Sequence, residues 1–63
     1  MTDLDWLLQA QHDTCGVAED ALSRAMMAES EAVHGFYLAL SMEKAMQADA
    51  LGRIYDCLVK QGI

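Results

Sequence analysis

The sequence predicts an all-helical protein, an antiparallel hairpin of two long helices. Three observations carry that reading. Proline is absent from the 63 residues. Ala, Leu, Met, Glu and Gln, the residues that lose least on entering a helix, recur throughout. Two apolar stripes, each advancing by roughly 100° per residue, fill most of the length.

Thr2 followed by Asp5 has the spacing of an N-cap with an acidic residue at the third helical position. Met1 and Trp6 occupy the two positions of a hydrophobic staple across that cap. Asp3 and Asp5 add negative charge at the positive end of the helix dipole. A first helix is therefore expected from about residue 3. Its stripe collects Leu4, Leu7, Leu8, Gln11, Cys15, Ala18, Leu22, Ala25, Met26, Glu29 and Val33. The phase passes unbroken through His12-Asp13-Thr14-Cys15-Gly16, so a single helix to about residue 33 is expected. The rival reading is a three-helix protein with a break near Thr14.

Gly35 is the expected turn, because a glycine past a helix end can take the left-handed conformation that caps the last carbonyls. The second helix is expected over about 36–61, ending at Gly62 with Lys60 at the negative end of its dipole. Its stripe is Phe36, Tyr37, Leu40, Gln47, Leu51, Ile54, Tyr55 and Leu58, flanked by Ala39, Ala50 and Cys57. No good N-cap precedes Phe36, so an unbroken rod through Gly35 competes with the hairpin. Asp20–Arg24, Asp49–Arg53 and Asp56–Lys60 are acid-before-base pairs at i, i+4, which mark solvated faces.

Folding at Gly35 would set Ala18 against Leu51, Cys15 against Ile54 and Val33 against Phe36. The residues expected to pack the hairpin or a dimer are Leu4, Leu8, Cys15, Leu22, Met26, Phe36, Leu40, Leu51, Ile54 and Leu58. A chain of this length buries only about 60% of the surface its unfolded form exposes, and needs help from a disulfide, a metal or another chain. The two cysteines, Cys15 and Cys57, follow an acidic N-terminus unlike a secretory signal. No apolar run approaches the ~20 residues that span a bilayer. A single reduced cytoplasmic domain, 1–63, is expected, with a homodimeric four-helix bundle covering the surplus apolar surface.

Ten acids against four bases give a formal charge of −6, which disfavours nucleic acid and anionic membrane and suits a basic protein partner. Glu31-Ala32-Val33-His34 has the spacing of two ligands on one helix face. His34 is expected at the turn and Glu31 in solvent, so the motif is read as capping and solvation. His12, Cys15 and Cys57 offer three ligands where structural zinc takes four. No metal, cofactor or catalytic residue is expected. Gln11, Glu29, Glu43, Lys44 and Gln47 put polar atoms on or beside the stripes, where they can fix register, for instance through Glu29 with Lys44. Trp6, Met27, Met42, Met46 and Tyr55 are the expected anchors for a protein partner, within an acidic rim of Asp13, Asp20, Glu31, Asp49 and Asp56. The expected function is that of a small non-enzymatic regulator or adaptor of the antitoxin, anti-activator or phage-inhibitor kind. RNA binding by a helical dimer and metal binding by a helical bundle are the alternatives.

Overall fold

The computed structural model describes residues 2–62. Two helices pack side by side as an antiparallel hairpin, α1 over Asp3–Met27 and α2 over Glu31–Lys60. Among the described residues there is no strand. The hairpin is slender, with principal extents of 48 × 18 × 10 Å. Its radius of gyration is 14.5 Å, against about 11 Å for a compact domain of this length.

α1 begins as its cap spacing implies. The Asp5 amide donates to Thr2 Oγ1 at 3.2 Å, and the Thr2 amide donates to Asp5 Oδ2 at 3.2 Å. Two otherwise orphaned amides are thereby satisfied. Met1, the outer half of the expected staple, lies outside the described residues. The helix passes through Thr14 and Gly16 without a break, so the three-helix alternative is not adopted. Thr14 stays helical by donating its hydroxyl back to the Ala10 carbonyl at 2.7 Å.

The turn lies earlier than Gly35. Ala28 and Ser30 are both extended (ψ 135° and 133°), and α2 starts at Glu31. Ser30 is the N-cap, and Glu31 places an acid in the first turn, at the positive end of the dipole. Gly35 is inside α2 and has no positive φ. His34 reaches back across the turn to the Ala25 carbonyl, 2.7 Å from Nδ1. A carbonyl only accepts, so Nδ1 carries the proton in this contact. The far end matches expectation: Gly62 takes φ +79° and its amide donates to the Val59 carbonyl at 3.1 Å.

The earlier turn resets the register, because moving a fold point shifts each facing position by twice as many residues. Ala18 faces Ser41 and not Leu51. Three side chains tie the helices through backbone carbonyls. Gln11 Nε2 donates to Ala48 O at 3.3 Å, Ser41 Oγ donates to Ala18 O at 2.9 Å, and His34 meets Ala25 O. The tied positions are 11, 18 and 25 on α1 and 48, 41 and 34 on α2, a heptad step on both helices. The seam between them alternates threes and fours in the manner of a coiled coil. On α1 it runs Leu4, Leu7, Gln11, Thr14, Ala18, Ala21, Ala25 and Ala28, all buried or half-buried. On α2 it runs His34, Tyr37, Ser41, Lys44, Ala48, Leu51, Tyr55 and Leu58.

Small residues make this seam. Among the described residues the buried positions are Ala18, Ala21, Ala25, Ala48 and Ser41, and no large side chain is fully buried. Short side chains let the backbones approach, which is why Ser41 and Gln11 can reach carbonyls on the opposite helix. Gly52 belongs to the same device: a Cβ there would lie 2.6 Å from Gln11 Nε2. Of the expected packing residues, Leu4, Leu40, Leu51 and Leu58 are half-buried in the single hairpin. Leu8, Cys15, Leu22, Met26, Phe36 and Ile54 are exposed. Leu8, Cys15 and Leu22 each follow a seam residue by one position and so flank the contact.

Candidate protein-binding surface

The candidate surface is a face of α2. Ala39, Met42, Glu43, Met46, Gln47 and Ala50 line an open groove along the side of α2 turned away from α1. Residues 39, 42/43, 46 and 50 recur every three or four positions, so one side of the helix carries them all. The wall is almost wholly carbon, with Glu43 and Gln47 along one margin. Met42 and Met46 are one turn apart and both well exposed. Met46 and Ala50 also line the next groove, with Ala45, Asp49 and Arg53. Unbranched thioether side chains of this kind adapt to irregular partner surfaces.

The five expected anchors do not form one patch. Met42 and Met46 share the α2 groove. Met27 lies at the turn end, lining a separate groove with Asp20, Ser23, Arg24, Ala28, Val33 and Tyr37. Trp6 is exposed near the other end of α1, about 30 Å from Met27 along the helix. Tyr55 is half-buried in the seam. Phe36, Ala39 and Ala50 were not among the expected anchors, yet Phe36 is exposed and the alanines floor the groove. Their signal was present in the composition of α2, which is apolar outside its seam as well as along it.

The charges sit mostly at the margins. Arg24 pairs with Asp20 at 2.8 Å and Arg53 with Asp49 at 2.9 Å, both as i, i+4 pairs. The hydrogen bond that Arg24 donates to Asp20, then the Asp20 charge, raises the guanidinium pKa, with a smaller contribution from Tyr37. Asp13 accepts a hydrogen bond from Gln9 Nε2 at 2.9 Å. Lys44 donates to Gln47 Oε1 at 3.3 Å, and not to Glu29, from which the reset register removes it. Gln11 is the polar stripe residue that ties the two helices together.

His12, Cys15 and Cys57 are not gathered. The register sets His12 level with Gln47, and both cysteines are free and exposed. No group of three or more His, Cys, Asp or Glu placed to hold a metal occurs among the described residues. His34, of the Glu31–His34 motif, is engaged with the Ala25 carbonyl. No described helix is long and apolar enough to cross a membrane.

No protein-family model, curated protein or solved structure matches the chain. The geometry of the hairpin is therefore the basis for any functional reading.

Proposed function

We propose that this protein is a small non-enzymatic regulator or adaptor that works by binding protein through a helical face. One observation carries the reading: a hairpin sealed by alanines leaves its large apolar side chains outside. Trp6, Met26, Met27, Phe36, Met42 and Met46 are each more than three-fifths exposed. Of these, Met42 and Met46 share one groove, and contiguous exposed apolar surface of that kind marks an interaction site. The acidic outer side of α1, with Asp5, Asp13, Glu19 and Asp20, would speed encounter with a basic protein and reject acidic ones. Arg24 and Arg53 are already paired with acids, which leaves little basic surface to hold RNA phosphate.

The experiment is affinity capture with the reduced protein as bait, repeated with Met42→Ser/Met46→Ser and with Trp6→Ser/Met27→Ser. Specific retention of protein, its own copies included, that weakens with one of these pairs is expected. Retention of nucleic acid, falling steeply with salt and indifferent to both pairs, would overturn the reading.

A further inference from the structure

The two helices of the hairpin differ in what their outer sides offer. α1 holds five acids (Asp3, Asp5, Asp13, Glu19, Asp20) against one base, Arg24. α2 holds four acids (Glu31, Glu43, Asp49, Asp56) against three bases, Lys44, Arg53 and Lys60. Most of the net charge therefore lies on α1, and α2 is close to neutral. α2 is also apolar on opposite sides of its axis, toward the seam and along the Ala39–Ala50 groove. In a two-helix hairpin only the seam side finds a partner, and the second apolar side is left open. One side of this hairpin is built for water and the other is not.

The surface area says how much is missing. The chain exposes 4807 Å². A folded monomer of its size should expose about 4,000 Å². The surplus, about 800 Å² by that scaling, goes with the slender shape and is of the order of one partner's share of a standard interface, about 800 Å².

We propose that the outer face of α2, centred on Met42 and Met46, docks on the same face of a second copy. The two α2 helices lie antiparallel in the middle and both α1 helices face outward. Charge favours this occupant: a basic foreign protein would be drawn to α1, whereas each α2 face carries a single carboxylate, Glu43, at the margin of an otherwise uncharged groove. A two-fold axis also runs the groove of one copy against the reverse of the other. Ala39 of each copy then comes level with Ala50 of the other, and the two Met42–Met46 turns lie against each other between these small residues. This inference rests on the reading of the chain as a protein-binding module and names the first occupant of its groove.

The test is methionine oxidation by dilute hydrogen peroxide, read by peptide mass spectrometry on the reduced full chain, with light scattering on the same sample. In the single hairpin Met26, Met27, Met42 and Met46 are 75%, 82%, 62% and 73% exposed, so all four should oxidise at similar rates. In the proposed dimer Met42 and Met46 oxidise several-fold more slowly than Met26 and Met27, and dilution to the single-chain mass abolishes the difference. Equal rates in a particle of two chains would overturn the proposal by placing the contact on another face. A single-chain mass with Met42 and Met46 protected only in cell lysate would overturn it too, while leaving protein binding intact. A folded single chain with no protection in either setting would overturn both readings.

Discussion

Ser41 donates its hydroxyl to the Ala18 carbonyl at 2.9 Å, and both residues are buried at the middle of the seam. The contact is possible because nothing larger than alanine stands between the helices at that level. Ser41→Ala removes one hydrogen bond while the Ala18 carbonyl keeps its place in α1. The expected cost is about 1 kcal/mol, read as a lower urea midpoint. Ser41→Leu should cost more, in the range of about 1–3 kcal/mol for overpacking, because the helices must part.

Gln11 and Gly52 form a second pair whose coupling can be measured. Alanine favours a helix over glycine by about 1 kcal/mol. A Cβ at position 52, however, would sit 2.6 Å from Gln11 Nε2 and push that side chain off the Ala48 carbonyl. Gly52→Ala alone should therefore give less than that gain, or a net loss. In a Gln11→Ala background the same change should be stabilising by about 1 kcal/mol. Equal effects in the two backgrounds would mean that Gln11 does not occupy the space beside Gly52.

Position 35 reports where the chain turns. Gly35 is helical, with nothing within 4 Å of the place a Cβ would take. Gly35→Ala should raise stability by about 1 kcal/mol. Were Gly35 the turn, with positive φ, the same substitution would be destabilising. Gly16→Ala, in the middle of α1 and equally free of neighbours, should behave like Gly35→Ala. Thermal or urea unfolding of the two single variants decides both points.

The N-terminal cap gives a fourth local test. Thr2→Ala breaks the reciprocal bonds with Asp5 and should cost about 1 kcal/mol. Amide hydrogen exchange should quicken first in the opening turn of α1.

Much of this fold was legible in the residues. Thr2 and Asp5 announced the start of α1, the unbroken phase across Gly16 announced its continuity, and Lys60-Gln61-Gly62 announced the end of α2. The turn was not, because Gly35 offered a stronger stop than Ser30 offered a start. Ser30 makes no side-chain capping bond, and the bond that closes the turn comes from His34, four residues further on. The register error followed from the turn. The choice of seam had a different cause. Hydropathy ranks leucine and methionine above alanine, so a stripe drawn by hydropathy runs through Leu8, Leu22 and Met26. Helices tied through each other's carbonyls need short side chains between them, and that places Ala21 inside with Ala18 and Ala25, which the stripe already held, and leaves the larger members of the stripe at the flank. The α2 groove was half legible: Met42 and Met46 stood out as methionines, but the alanines that line the groove with them gain meaning only once the seam is known to lie elsewhere on α2.

The most direct measurement is the solution mass of the reduced protein by light scattering, over a wide concentration range and with helicity followed alongside. A two-chain particle that loses helix as it dissociates is the expected result, since the alanine seam buries too little to hold a hairpin alone. A single chain that stays fully helical at every concentration would contradict it, for the exposed face of α2 would then have no part in stability.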